Sequence, residues 1–135
     1  MKKFLITAIT LIPILACLSG CNRYHSIIDG PTDAAVNAEA QTLTYHTERS
    51  FDISCLYYST DKDGVEVYDT TIGNGTGNGE EYDYTGPWFT INTGDNRRTI
   101  TITLQENTSG IERSFRAQLE SGKSYQWLSI RQSPE

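Results

Sequence analysis

Tyr125, Trp127 and Arg131 alternate along the last apolar stretch of the chain, offset by one residue from Leu128 and Ile130. If the two aliphatic residues face a core, the other three point outward together with Ser129, because side chains alternate between the faces of a strand. An exposed indole with a phenol two residues away can stack on sugar rings, and a guanidinium beside them supplies hydrogen bonds. The same pattern also suits a Trp127 that packs across a neighbouring strand. Tyr82 and Tyr84, which follow Glu80 and Glu81, are candidates for extending the rim of such a surface.

Other reactive groups are sparse. The two histidines are His25 and His46, and His46 alternates with Thr42 and Thr44, which points it to solvent. A serine triad needs a histidine held by a carboxylate and set beside a serine, and no nucleophile-elbow pattern accompanies His46. Paired carboxylates could hydrolyse glycosides, but abundant acids also keep a small domain soluble. Asp61, Lys62, Asp63 and Gly64 resemble the start of a calcium loop; the later ligand spacing is missing, so a β-turn is expected. Gly73, Gly75, Gly77 and Gly79 alternate with polar residues and run into acids. A phosphate cradle would need a helix behind it and usually a lysine, so a hairpin or inter-sheet connection is expected. No enzyme activity, cofactor or metal is expected.

Cys21 is the remaining group with chemistry to offer, because a cysteine thiolate is a strong nucleophile where serine is not. It closes Leu18, Ser19, Gly20, Cys21 behind an uncharged stretch from Phe4 to Cys17, with Lys2 and Lys3 in front. A spanning helix needs roughly 20 apolar residues, so this stretch fits a cleaved signal helix better. The arrangement resembles a bacterial lipobox. It implies a leader over residues 1–20, a lipid on Cys21, and attachment to a membrane with no spanning helix. Asn22 in place of an aspartate resembles outer-membrane sorting, with the surface and periplasmic sides both open.

Removing the 20-residue leader from 135 residues leaves 115, one ordinary domain, and moves the formal charge from -6 to -8 with the loss of two lysines. That acidity argues against nucleic acid as a partner. Cys17 leaves with the leader and Cys21 takes the lipid, so Cys55 is unpaired; it alternates with Phe51, Ile53 and Tyr57 and reads as a core residue.

These residues must be held by strands. Residues 21–33, with Gly30 and Pro31, read as a tether in which Ile27 and Ile28 could add a short edge strand. From Ala34 to Glu135 the pattern has period two, most clearly where threonine alternates with Ile100, Ile102 and Leu104. Further strands are expected near Val36 to Ala40, Thr42 to Glu48, Phe51 to Ser59, Val65 to Thr71, Trp88 to Asn92, Arg113 to Ser121 and Tyr125 to Gln132. Turn residues separate them, so the expected fold is all-β, an immunoglobulin-like β-sandwich of seven or eight short antiparallel strands.

Trp88, the Ile100 to Leu104 alternation, Asn107, Gly110, Arg113, Phe115, Leu119 and the closing strand ending in Gln132 occur in an order that resembles the second half of the BACON domain. The first half is similar through Ala38, Leu43, Tyr45, Phe51 and Ile53, although the usual glycine pair is missing. The resemblance implies a Bacteroidetes-associated sandwich module that binds glycans or serves as a spacer. Such modules are usually appended to polysaccharide-degrading enzymes, whereas here the module is nearly the whole chain. The expected function is therefore glycan binding or adhesion at the cell envelope, the alternative being a spacer or subunit of an envelope complex. In either case Asn107 is suited to closing a turn and Gln132 to satisfying backbone groups at a sheet corner.

Overall fold

A computed structural model describes residues 26–74 and 80–135. The leader, Cys21, His25 and most of the glycine-rich run lie outside the described residues. Nine strands form: β1 Asp33–Val36, β2 Gln41–His46, β3 Asp52–Ser59, β4 Glu66–Asp69, β5 Asp83–Thr85, β6 Phe89–Gly94, β7 Thr99–Leu104, β8 Arg113–Ser121 and β9 Ser124–Gln132. A single 3-10 turn, Thr71–Asn74, is the only helical element among the described residues, and no described helix is long and apolar enough to cross a membrane.

The strands make two sheets, ordered β1-β9-β8-β3-β4 and β2-β7-β6-β5. All neighbours are antiparallel except β1, which runs parallel to β9 with Ala34 opposite Ile130. That departs from the wholly antiparallel expectation. The topology is immunoglobulin-like: the first strand joins the sheet of the last, and strands distant in sequence pair across the sandwich. The usual inter-sheet disulfide is absent, since Cys55 is the one cysteine among the described residues and is free.

Threonines and aliphatics alternate so that Ile100, Ile102 and Leu104 meet Ile53, Leu56, Phe115, Leu119, Leu128 and Ile130 in one core. Trp88 and Phe89 fill its centre, both buried. The indole Nε1 of Trp88 donates to the Ser59 carbonyl at 2.7 Å, so its one polar group is satisfied.

One expectation needs moving. Ile27 and Ile28 are buried in the core, and Gln126 Oε1 accepts from their amides at 2.8 and 3.0 Å. Ile28 also bridges Thr47. Residues 26–33 are thus part of the domain and not a tether, because two buried isoleucines and a side-chain acceptor hold them.

The far end is closed by polar groups. Arg113 is nearly buried, forms a bidentate pair with Asp61 at 2.7 and 2.8 Å, and donates to the carbonyls of Gln105 and Glu106. Its guanidinium also lies over the Trp88 ring. Asn107 donates to the carbonyl of Ile111 at 2.8 Å and accepts from Ser109. Gln132 donates to the carbonyls of Ala38, Glu39 and Gln105 and accepts from Arg113. These are the turn-closing and corner roles their positions suggested. With both carboxylate oxygens on Arg113, Asp61 serves a turn.

Candidate functional site

A bulge in β3 creates the most distinctive surface. Ile53 pairs with Leu119 but Cys55 pairs with Gln118, so Ser54 is the extra residue and every later side chain changes face. Ile53, Leu56 and Tyr58 therefore look inward, while Cys55 and Tyr57 look outward. Cys55 is buried, as expected of a core residue, but beneath that outer face, its Sγ 3.6 Å from Gln118 Oε1 and apart from the main cluster between the sheets. The expectation that Cys55 and Tyr57 share the Ile53 face is corrected by this one inserted residue.

Released outward, Tyr57 meets Tyr68 of β4, with ring centroids 4.7 Å apart, and Trp127 of β9 at 5.8 Å. Trp127 is half-buried and reaches across β8 to do so. Arg116 of β8 lies over both Tyr57 and Trp127, at 4.8 and 5.7 Å from the ring centroids, and pairs with Glu66 at 3.0 Å. The row of rings thus has a cation inserted along it, an arrangement worth on the order of 1 kcal/mol per contact. Tyr68 is 58% exposed and Tyr125 59%.

Beside the rings is a depression of about 230 Å³ lined by Asp33, Glu66, Ser114, Arg116, Ser129 and Arg131, with Ala34, Phe115 and Ile130 adding apolar surface. Arg116 and Glu66 belong to both the ring cluster and this depression. Rings and hydroxyl, carboxylate and guanidinium groups therefore share one open face of the five-stranded sheet. It offers stacking and hydrogen bonding.

Trp127, Arg131 and Tyr125 stand on this face as their alternation suggested. Trp127 packs across the sheet on Tyr57 and remains partly open. Tyr82 and Tyr84 do not join it. They belong to the edge of the other sheet and pack against the core, with Tyr84 stacked on Phe89 at 6.0 Å. The Tyr84 hydroxyl donates to Asp69 at 2.6 Å and that of Tyr82 to Asp52 at 3.2 Å. Burial first, then the Asp69 carboxylate, pushes the Tyr84 phenol well above its ordinary range. Asp69 is held below its ordinary range by Tyr84 first and by Thr71 next. These tyrosines tie the β5 edge of one sheet to β3 and β4 of the other.

Tyr57, Tyr68, Arg116 and Glu66 are the site residues that sequence reasoning missed. Arg116 was findable, because it alternates with Phe115 and Ala117 on a strand whose core face is plain. Tyr57 was hidden by the bulge.

A second depression, of about 240 Å³, lies at the end of the sandwich where the described chain begins. Ser26, Asp29, Glu48, Arg49, Ser121 and Ser124 line it, with no ring at its surface.

No protein-family model and no curated protein matches the chain. Among solved structures, it is similar to a protein from Bacteroides thetaiotaomicron determined by NMR, with TM-score 0.59 and 16% identity over 82% of this chain and 85% of that one. Titin domain M7 aligns with TM-score 0.43 and 6% identity over 81% of this chain and 92% of its own. At such identities the likeness to the Bacteroides protein speaks for the fold alone.

Proposed function

We propose that this protein is a lipid-anchored component of the bacterial cell envelope, held through Cys21 at the outer membrane, whose non-catalytic sandwich binds glycan on the outer face of the five-stranded sheet. One observation carries the glycan reading: Tyr68, Tyr57 and Trp127 form a continuous row of rings with Arg116 inserted, beside a depression where hydroxyl and charged groups border apolar surface. Sugar rings need that combination of flat apolar surface and directional donors. Kinship with BACON modules belongs to the same proposal. It is supported by the meeting of Asn107, Arg113 and Gln132, the residues that carry the resemblance, in one network.

The test is binding of the mature protein to mucin and polysaccharide panels. Trp127→Ala and Tyr68→Ala are each expected to weaken binding about tenfold, a loss of about 1.4 kcal/mol, while Tyr84→Phe leaves it unchanged. Absence of binding to every glycan, or binding indifferent to both ring deletions, would defeat the reading. For the anchor, Cys21→Ser is expected to yield a product that takes up no labelled fatty acid, and continued labelling would refute it.

A second reading draws on the same face. Tyrosine, tryptophan and arginine are the residues that dominate protein–protein hot spots, so a role as subunit of an envelope complex is the alternative. Co-purification of an envelope protein that is lost on Trp127→Ala, with no glycan bound, would favour it.

A further inference from the structure

The geometry points to a defined orientation on the membrane: the end of the sandwich around Ser26 faces the lipid surface, and the end bearing the C-terminus faces away. This inference rests on the proposed lipid at Cys21. Only residues 22–25 separate that cysteine from Ser26, so five Cα steps can span at most about 18 Å. From Ile27 onward the chain is fixed to the fold, with both isoleucines buried, their amides on Gln126, and the Asp29 amide on the His46 carbonyl at 3.1 Å.

The direction of the strands then orients the rest. Gln126 of β9 holds Ile27, and from it the strand runs six residues on to Gln132, a distance of about 20 Å. β1 runs parallel to it, and the Glu135 amide donates to the Asn107 carbonyl, so the chain ends at the opposite pole. Turning that distal pole to the membrane would lift Ser26 at least about 20 Å from the surface. An 18 Å stem cannot follow.

The membrane-facing pole comprises the β2–β3 loop with Arg49, the β6–β7 turn with Asn96, and the β8–β9 hairpin with Lys123. Among the described residues Arg49 and Lys123 form no ion pair and suit lipid phosphates, but Asp29 and Glu48, which line the depression with Arg49, offset them. Reach, not charge, rules out the inverted pose. Two consequences separate the depressions: the one at Ser26 is turned toward lipid, while the ring-bearing face stands roughly along the membrane normal and stays open.

Lys123 and Lys62 are exposed at opposite poles and serve as probe positions. The full lipidated chain carrying Lys123→Cys or Lys62→Cys, each labelled with a fluorophore, is placed in phosphatidylcholine vesicles containing a spin-labelled headgroup quencher. The wild-type chain, whose Cys55 is buried, controls for background labelling. The label at position 123 is expected to be quenched several-fold more than that at position 62. Equal quenching, as for a domain lying on its side, or the reverse order overturns the orientation while leaving the anchor intact. Insertion of ten glycine and serine residues between Arg23 and Tyr24 is expected to erase the difference; a difference that survives it overturns the short stem as the cause. If the Cys21 peptide carries no fatty-acid mass and the protein does not join vesicles, the lipoprotein reading falls and this inference with it.

Discussion

Arg113 shows how one residue joins stability to architecture. Its guanidinium is nearly buried and ends on Asp61, which is itself 43% exposed. Removing Asp61 leaves a buried charge with only neutral acceptors at Gln105, Glu106 and Gln132. Asp61→Ala is therefore expected to cost about 2 to 4 kcal/mol, below or within the usual loss for an orphaned buried ion, as read from urea unfolding. The Asp69–Tyr84 latch makes a pH prediction. Because the folded state holds the Asp69 carboxyl low, its contribution is complete above the unfolded carboxylate pKa and is lost as pH falls through the folded value. Tyr84→Phe removes the largest cause of that lowering. An NMR titration of the Asp69 carboxyl is expected to shift upward in this variant, and the acid limb of stability to become shallower.

At the scale of elements, legibility followed the regularity of the pairing. β7 and β8 were readable to the residue, since Thr99–Leu104 and Arg113–Ser121 alternate without interruption. β5 was not, because Asp83–Thr85 is three residues long and follows a glycine-rich run with no apolar alternation. The bulge at Ser54 leaves no local signature: it is a two-against-one pairing with β8, visible only when the partner strand is known. That single residue hid Tyr57 and with it half the candidate site. The Trp127 and Arg131 half depended only on the unbroken alternation of β9 and was legible. Gly86 illustrates a close approach of the same unseen kind, since a Cβ there would lie 2.5 Å from the Phe89 ring. Gly86→Ala is expected to force the buried ring aside and lower stability by about 1 to 3 kcal/mol, which thermal unfolding will measure. Asn96→Gly, at a position with φ of 56°, is expected to be neutral or stabilising by up to about 1 kcal/mol in the same assay.

For the whole molecule, the sandwich begins earlier than its period-two pattern does. A chain starting at Ala34 lacks Ile27 and Ile28 and exposes the core they cover. Fully burying an isoleucine is worth about 1.5 to 3 kcal/mol, so that truncation is expected to lose about 3 to 6 kcal/mol, while a chain starting at Ser26 keeps its stability; paired denaturant curves decide. The same closure by side-chain contacts has a consequence for biogenesis. Where immunoglobulin domains of antibodies are clamped by a bridge between sheets, the described part of this sandwich is closed by the Arg113, Asn107 and Gln132 hydrogen bonds, and its one cysteine is buried beside Gln118. Folding of the described residues therefore asks for no electron acceptor and no sorting of thiol pairings, and is attainable in reducing and oxidising surroundings alike.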